Sequence, residues 1–296
     1  MKEFKINNLN NIPLNIIEGK HVDNPLAILI NVHGISSHFQ DFYKSVDNLE
    51  SRDDFFVNES FKSYGLEFHG HGKSDGLKCS INKFDNLVDD LYCLVKYVSN
   101  IYKNIPIFII AESMGGAVAI KYNIKYQFYY PISSYILLAP MCGIDDRLKP
   151  NFLATYFLIT MSYYFPTYPA LNTNSKMRET CKNLEYEKAR ENCEYNYHGK
   201  MRLNTARECY HTSLWINEYG KLFNAPLFLI HGINDKITNP QMSIQFYNKV
   251  PNKKKKIYLP NNTEHSVLLS NIKDDKHPEY ILNEIKDWIK YLLESN

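Results

Sequence analysis

The sequence has no marked excess of charge of either sign and few cysteines. It contains 34 Lys and Arg residues against 32 Asp and Glu residues, so its formal net charge is only +2. Such a balance gives no electrostatic reason to expect a nucleic acid partner. The 6 cysteines are spread over 296 residues without a Cys-x-x-Cys pair, which argues against a zinc site or a disulfide framework. Cys181 and Cys193 lie close together in a polar stretch and leave one labile disulfide as an alternative.

Long hydrophobic runs are also absent. The longest apolar stretches, at residues 106–111 and 152–161, are much shorter than the roughly 20 residues of a membrane-spanning helix. The first residues lack the apolar core of a signal peptide. We therefore expect a cytoplasmic protein whose contact with membranes, if there is any, is peripheral.

The sequence does have short apolar runs, rich in β-branched and aromatic residues, that alternate with helical patterns. Near-continuous apolar runs are typical of parallel strands that are covered on both faces. We predict strands at residues 27–33, 64–68, 105–111, 135–139, 226–231 and 256–259. Apolar periodicity predicts helices at residues 82–102, 114–126 and from about 278 onwards. The alternation predicts an α/β fold with a mainly parallel central sheet and helices on both faces.

One interval, residues 146–221, breaks this alternation. It has no strand signal, begins with an aromatic-rich run and continues as a charged helical stretch. An insertion of this length between two core strands is too long for a loop. We predict that residues 146–221 form a helical cap, inserted into a core formed by residues 1–145 and 222–296.

Ser113 is the strongest candidate for a nucleophile. The segment IIAESMGGAVAI is an apolar strand followed by a tight turn and by small residues that begin a helix. This pattern is typical of a nucleophile elbow, in which small neighbours let strand and helix pass closely around a strained Ser. Ala111 stands where the G-x-S-x-G pattern has its first Gly, whereas Gly115 fits the pattern. A helix N-cap role for Ser113 is the alternative.

A serine hydroxyl needs a base to remove its proton, and that base needs a carboxylate to orient it. In proteins with this elbow, the order along the chain is nucleophile, acid and then histidine. Asp235 follows a predicted strand, and His265 lies between the last predicted strand and the last helix. Both positions fall at the carboxyl edge of the sheet, where catalytic groups collect. We interpret His231 as structural, and an Asx-turn is the alternative role for Asp235.

Two backbone N–H groups are expected to stabilise the oxyanion that forms when such a serine attacks a carbonyl. Met114, directly after the nucleophile, is predicted to provide one of them. Ile35, in the loop after the first apolar run, is predicted to provide the other. The glycine-rich residues 69–76, HGHGKSDG, match neither common phosphate-binding spacing, so we interpret them as a structural turn rather than a phosphate loop.

Seven segments occur in the order of a known family: HGISSHFQDF, GHGKSDG, AESMGGAVA, LLAPMCGIDDRLKP, GKMRLNTARE, HGINDKITNP and the His of NTEHSVLL. Through them the chain resembles the monoacylglycerol lipases and lysophospholipases of the α/β-hydrolase superfamily, which are hydrolases of the serine aminopeptidase S33 type. The resemblance covers roughly residues 25–293. It implies the α/β-hydrolase fold, a catalytic triad of Ser113, Asp235 and His265, and the two oxyanion donors named above. It also implies that the protein needs no metal and no organic cofactor.

The sequence departs from the family's pattern at three places. Glu67 replaces an Asp before the GHG turn, Ala replaces Gly in the elbow, and YNYHGK in the predicted cap lacks the family's Asp-Pro. Because the cap shapes substrate choice, the last departure affects the predicted substrate rather than the chemistry. The aromatic start of the cap, with Phe152, Tyr156 and Phe157, predicts an apolar acyl-binding site. Contact with a membrane surface and ordinary helix packing are the alternatives for these side chains.

These residues together predict a serine hydrolase that cleaves carboxylic esters of glycerolipids through an acyl-enzyme, as a monoacylglycerol lipase or a lysophospholipase does. One alternative keeps the triad and changes the substrate: a broad carboxylesterase or thioesterase that acts on small non-lipid esters. A second alternative is a non-catalytic binding protein with the same fold, which the intact order of the triad disfavours. The expected partner is a small lipid or ester molecule.

Overall fold

The computed structural model describes residues 1–39, 52–172, 188, 190–268 and 276–295. The strands in these residues are β1 (Lys2–Asn7), β2 (Pro13–Glu18), β3 (Ala27–Val32), β4 (Phe61–Leu66), β5 (Ile107–Glu112), β6 (Ser134–Leu138), β7 (Pro169–Leu171), β8 (Met201–Arg202), β9 (Leu227–Ile230) and β10 (Lys255–Tyr258). Eight of them form one sheet in the order β1-β2-β4-β3-β5-β6-β9-β10. From β4 to β10 all neighbours pair in parallel, so the predicted mainly parallel sheet is confirmed.

Helices cover both faces of the sheet. Those in the described residues are α1 (Arg52–Val57), α2 (Phe84–Ile101), α3 (Met114–Tyr126), α4 (Phe152–Tyr164), α5 (Leu203–Tyr219), α6 (Pro240–Lys249) and α7 (His277–Glu294). Side chains of a strand alternate between faces, so Ile28 and Ile30 pack in the cluster of α2 and α3. Leu29 packs in the opposite cluster, with α1 and α7. None of the described helices combines the length and the apolar character that a bilayer span requires.

The N-terminal strands β1 and β2 are missing from the predictions above. They pair with each other antiparallel, and β2 pairs antiparallel with β4, so β1 is the edge of the sheet. The side chains of β1 are either exposed or half-buried, because only the face that carries Phe4 and Ile6 packs against the core. This polar, alternating segment contains no continuous apolar run from which a strand could be predicted.

The interval between β6 and β9 contains α4, α5 and a two-stranded antiparallel ribbon of β7 and β8. The prediction that this interval has no strand is therefore wrong. Strands of three and two residues carry too little pattern to be recognised, and they pair only because the fold brings Leu171 opposite Met201. The division into a core and a cap stays a prediction. Cys193 is a free thiol, and Cys181 lies outside the described residues.

The beginning of α5 is tied to the core by side-chain hydrogen bonds. The Thr205 hydroxyl donates to the Cys79 carbonyl at 2.8 Å and accepts from the Ile81 N–H at 3.0 Å. The Glu208 carboxylate accepts from the N–H of Phe84, the first residue of α2, at 2.9 Å. A carboxylate at this place also offsets the positive end of the α2 dipole. The described part of the interval is thus fixed to the core through α5.

Candidate active site

Ser113 lies at a sharp turn between β5 and α3, with φ 54° and ψ −118°. Such a backbone is strained by about 1–3 kcal/mol in a residue with a side chain and persists only where surrounding contacts hold it. Two glycines make room for the turn. A Cβ on Gly115 would lie 2.6 Å from the carbonyl oxygen of Val32, and one on Gly116 would lie 2.6 Å from Cβ of Pro140. Strand and helix therefore pass at a distance that glycine permits, as in a nucleophile elbow.

Asp235 and His265 lie on the loops that follow β9 and β10. Nδ1 of His265 is 2.7 Å from Oδ2 of Asp235, and both side chains are buried. The other carboxylate oxygen, Oδ1, accepts hydrogen bonds from the backbone N–H groups of Ile237 and Thr238. Because the backbone holds the carboxylate, the ring faces a fixed acceptor at Nδ1. Nε2, on the opposite side of the ring, is then the nitrogen with which His265 can act as a base.

The Asp235 carboxylate has a second histidine partner. Nε2 of His231 lies 3.0 Å from Oδ2, and its Nδ1 lies 2.9 Å from the hydroxyl of Ser243. The Thr238 hydroxyl donates to the same Oδ2 at 2.7 Å. Sequence reasoning gave neither His231 nor Thr238 a place in this cluster. The signal that could have found them is their spacing in HGINDKIT, four residues before and three residues after the acid.

The charges of this cluster depend on one another. Burial alone would raise the pKa of Asp235, but the neighbouring imidazoles, His265 foremost, hold it well below its usual range. Burial alone would lower the pKa of His265, but the Asp235 carboxylate raises it above its ordinary value, with a smaller contribution from Glu112. The site therefore favours an aspartate anion beside an imidazole that readily accepts a proton, which is the electrostatic arrangement of a general base.

A cavity of about 300 Å³ opens beside Ser113. Thr238 also lines this cavity, and its hydroxyl is 3.2 Å from Nδ1 of His265. The elbow and Thr238, which also donates to Asp235, therefore border the same space. The remaining lining is mostly apolar and comes largely from α4, α5 and the loops beside them: Ile35, Met141, Ile144, Leu148, Lys149, Pro150, Phe152, Thr155, Leu158, Ile159, Leu171, Met201, Leu203, Ala206, Arg207, Cys209, Tyr210 and Ile237.

Of the three predicted acyl-site residues, only Phe152 lines the cavity, and its side chain is 81% exposed. Leu158 and Ile159, which the predictions did not include, line the cavity as well. Tyr156 and Phe157 lie on the outer face of the helix, where they are 68% and 61% exposed. The helix is apolar on nearly all sides, so its sequence gives no periodicity from which the cavity-facing side could be chosen.

The loop after β3 passes directly beside the elbow. A Cβ on Gly34 would lie 3.2 Å from Cβ of Ser113. His33 braces this loop: its Nε2 accepts a backbone N–H, so its Nδ1–H donates to the Gly34 carbonyl at 2.7 Å. Within the described parts of the chain, the N–H groups of Ile35 and Met114 donate no hydrogen bond to another protein group. Both predicted donors are thus unengaged by other protein groups in the described residues.

Residues 69–76 form a tight turn. The N–H of Gly70 donates to the carbonyl of Asp75 at 2.8 Å, and its carbonyl accepts from the N–H of Cys79 at 2.9 Å. These bonds within the turn fit its interpretation as structural. Among the residues that the structure describes, no group of three or more His, Cys, Asp or Glu side chains could hold a metal ion. That the protein needs no cofactor stays a prediction.

Comparison with known proteins places this site in context. The family described as "Serine aminopeptidase, S33" matches residues 23–271. A caffeoylshikimate esterase of Arabidopsis thaliana is 27% identical over 240 residues, which are 78% of this chain and 70% of that protein. A monoacylglycerol lipase of Mycolicibacterium smegmatis is 20% identical over 265 residues, which are 90% of this chain and 88% of that protein.

Solved structures show the same fold. A soluble variant of monoglyceride lipase from Saccharomyces cerevisiae, in complex with a substrate analog, matches with a TM-score of 0.80 at 16% identity, over 98% of this chain and 94% of that one. The monoacylglycerol lipase of Paleococcus ferrophilus matches with a TM-score of 0.75 at 15% identity, over the whole of both chains. The predicted α/β-hydrolase fold and the predicted family resemblance are therefore confirmed. Since the family match spans most of the sequence, this chain belongs to the serine aminopeptidase S33 family of α/β-hydrolases.

Proposed function

We propose that this protein is a serine ester hydrolase in which Ser113, His265 and Asp235 form the catalytic triad. The observation that carries the proposal is the strained Ser113 elbow, which borders an apolar cavity together with Thr238, whose hydroxyl contacts both Asp235 and His265. Relatives that are named esterases and lipases support ester hydrolysis as the reaction. The intact order of nucleophile, acid and histidine supports a catalytic rather than a purely binding role.

In the proposed reaction, Oγ of Ser113 attacks the ester carbonyl carbon while Nε2 of His265 takes the hydroxyl proton. The N–H groups of Ile35 and Met114 donate to the oxyanion. Collapse of the tetrahedral intermediate breaks the bond to the alkoxy oxygen, which leaves as the alcohol with the proton from His265. Water, deprotonated by the same ring, then attacks the acyl-enzyme and releases the carboxylic acid and free Ser113.

The proposed substrates are glycerolipids with a single acyl chain, either monoacylglycerols or lysophospholipids. The mostly apolar lining of the cavity suits an acyl chain, and its volume of about 300 Å³ lies at the lower end of the range for small-molecule sites, roughly 300–1,000 Å³. The monoacylglycerol lipase of Mycolicibacterium smegmatis, which aligns over most of both chains, supports this class. A fatty acid and a glycerol-containing alcohol would be the products.

A second candidate is a broad carboxylesterase or thioesterase for small non-lipid esters. It is favoured by the Arabidopsis thaliana caffeoylshikimate esterase, which is more similar in sequence than the mycobacterial lipase. Purified protein should be assayed with monoacylglycerols of increasing chain length, lysophosphatidylcholine, p-nitrophenyl acetate, a hydroxycinnamoyl ester and an acyl thioester. Highest kcat/KM on medium or long acyl chains supports the lipid substrates. Highest kcat/KM on the acetyl, hydroxycinnamoyl or thioester substrate replaces them with the second candidate.

The acyl site can be tested by filling it from α4. Because Leu158 lines the cavity, Leu158→Trp is expected to lower kcat/KM for a long-chain monoacylglycerol by about tenfold or more, the effect of losing one to a few methylene contacts. Hydrolysis of p-nitrophenyl acetate should change little. The matched control is Tyr156→Trp, because Tyr156 lies on the opposite side of α4 from Leu158 and is exposed. This variant should leave both rates unchanged. Equal losses on both esters in Leu158→Trp would contradict an acyl-specific site.

The pH dependence of hydrolysis follows from the raised pKa of His265. The neutral ring is the base, so kcat/KM should rise with pH through a midpoint above about 6.5, the ordinary value for imidazole. Glu112 contributes to the raised pKa, so Glu112→Gln should shift this midpoint to lower pH. Rates at closely spaced pH values for both proteins measure the shift. A midpoint that stays in place would show that Glu112 does not act on the base.

We further propose that the outer face of α4 makes peripheral contact with membranes. Leu153 is 77% exposed, and Tyr156 and Phe157 beside it are exposed as well. Contiguous exposed apolar side chains are typical of binding surfaces, membranes included. Phe157→Glu should reduce co-sedimentation with phosphatidylcholine vesicles severalfold without slowing hydrolysis of p-nitrophenyl acetate. Phe128→Glu, at an exposed aromatic away from α4, is the control, and equal losses in both variants would refute the contact through α4.

A further inference from the structure

Outside the site described above, three side chains are arranged as a nucleophile, a base and an acid. Sγ of Cys193 is 3.2 Å from Nε2 of His38. Nδ1 of His38 is 3.4 Å from Oε1 of Glu67. A tautomer with its proton on Nδ1 satisfies both contacts, since Nδ1–H then donates to the carboxylate and Nε2 accepts from the thiol. A nucleophile within reach of a base that a third group orients is the signature of an activated nucleophile.

Glu67, the acid of this arrangement, is held as a carboxylate. Burial alone would raise the pKa of Glu67, which is 1% exposed, but hydrogen bonds from His38, the Lys73 N–H and the Asn15 amide lower it below its ordinary value. The two latter donors lie 2.7 Å and 3.0 Å from Oε2, so they leave Oε1 to face the ring. His38 is itself only 2% exposed. The anchored carboxylate therefore faces Nδ1 of the buried imidazole, and Nε2 is left to face the thiol.

The other cysteines in the described residues have no comparable surroundings. Cys79, Cys142 and Cys209 are buried, and burial raises the pKa of each thiol. Cys93 is only half-buried, as Cys193 is, but burial together with the nearby Asp90 raises its pKa to about 11. Among the described residues, Cys93 thus offers similar access without a hydrogen-bonded imidazole. It is the natural internal reference for the reactivity of Cys193.

The segment that carries Cys193 also touches the loop of the proposed oxyanion hole. The N–H of Tyr197 donates to the carbonyl of Ser36, directly after Ile35, at 3.2 Å. Ser36 has a left-handed backbone with φ 59°, a conformation that a non-glycine residue keeps only under restraint. His38 lies two residues further along the same loop. A group added to Cys193 would therefore affect both the segment that carries Cys193 and the loop of Ile35, Ser36 and His38.

We propose that Cys193 is a reactive thiol that exchanges with small disulfides, and that the resulting mixed disulfide lowers the activity of the neighbouring ester-hydrolysing site. The second half of this statement rests on the proposed function. In the exchange, His38 takes the thiol proton and the Cys193 sulfur attacks one sulfur of the disulfide. The S–S bond of the small molecule breaks as the new S–S bond forms. Its other half leaves as a thiolate and is protonated by His38, so one disulfide gives one mixed disulfide and one thiol.

The reactivity is tested without any ester substrate. Full-length protein is treated with 5,5′-dithiobis(2-nitrobenzoate), release of the thiolate is followed by absorbance, and the modified cysteines are mapped by mass spectrometry. We expect Cys193 to react about tenfold or more faster than Cys93, because an adjacent imidazole increases thiolate character. Cys193→Ser should remove the fast phase and Cys93→Ser should keep it. Equal rates at the two cysteines, or Cys193 already bound in a disulfide with Cys181, would overturn the proposal.

The role of the two partners is tested in the same assay. His38→Gln and Glu67→Gln should slow the reaction of Cys193 several-fold while the rate at Cys93 stays the same, which serves as the check that each variant is folded. An unchanged rate at Cys193 in both variants would overturn the proposed roles of His38 and Glu67. If either variant does not fold, the comparison of Cys193 with Cys93 in the unmodified sequence still decides the reactivity.

The link to the ester-hydrolysing site needs a second readout. Stoichiometric formation of the mixed disulfide should lower p-nitrophenyl ester hydrolysis several-fold, and dithiothreitol should restore it. Cys193→Ser should keep the untreated rate and resist the reagent, whereas Cys93→Ser should remain sensitive. Full activity of the protein modified at Cys193 would overturn the link. Absence of hydrolysis in the untreated protein would instead contradict the proposed function and leave the measured thiol reactivity standing.

Discussion

Replacement of Ser113 with alanine is expected to lower ester hydrolysis by on the order of 10⁴–10⁶, the loss seen when a triad nucleophile is removed. The variant lacks the oxygen that forms the acyl-enzyme, while the backbone donors and the cavity remain. The unmodified protein is expected to be labelled covalently at this residue by a fluorophosphonate probe, and the variant should lose this labelling. The measurement is the initial rate on the best ester of the substrate panel, together with mass-spectrometric mapping of the probe.

Ser99→Ala, on α2, is the matched control and should retain both activity and labelling. Circular dichroism should show the same secondary structure in both variants, since Ser113→Ala removes one oxygen from a turn that glycines already accommodate. Full hydrolysis by Ser113→Ala would refute the assigned nucleophile. A folded original protein that binds esters but forms no adduct at Ser113 would support a non-catalytic binding role.

Replacement of Asp235 with asparagine is expected to lower kcat by about 10⁴, because the amide cannot hold the imidazole in the required tautomer or stabilise its positive form. The carboxylate oxygen Oδ2 accepts from Thr238 and faces both His231 and His265. An amide nitrogen in place of Oδ2 would oppose the Thr238 donor. A change in KM alone, with kcat unchanged, would contradict this assignment.

His231→Gln provides the comparison for this prediction. It removes one imidazole beside Asp235 but leaves the His265 contact, so we expect a loss of about 10–100-fold, as for a group that acts only through the acid. It should also leave probe labelling of Ser113 intact. A loss as large as that of Asp235→Asn would make His231 part of the proton-transfer machinery rather than a support for the acid.

The sequence was sufficient to predict the parallel strands of the sheet and to propose Ser113, Asp235 and His265 as the triad. The apolar runs that precede Ser113 and Asp235 are buried on both faces, and continuous burial leaves an unambiguous pattern. The loop position of His265 followed from chain order. Contact between His265 and Asp235 was an expectation from strand ends meeting at one edge, and the structure brings the two side chains to 2.7 Å.

What the sequence did not predict depends on contacts between distant segments. The edge strand β1 and the β7–β8 ribbon are stabilised by pairing, and their own residues are too polar or too few to show it. Tyr156 and Leu158 are both apolar residues on one helix, and only the position of α5 against α4 decides which of them lines the cavity. The contact between Cys193 and His38 joins residues 155 positions apart, for which neither local segment carries a pattern.

The hydrogen bonds of Thr205 and Glu208 to residues 79–84 make the two helical walls of the cavity unequal. The α5 side of the cavity is hydrogen-bonded to the segment that leads into α2, so the packing of that segment fixes its position. The α4 wall turns several large apolar side chains towards solvent instead of towards the core. Substitutions on α4 should therefore change the size of this cavity without disturbing the sheet and its helices. Substitutions at Thr205 or Glu208 on α5 would remove hydrogen bonds to the segment that leads into α2.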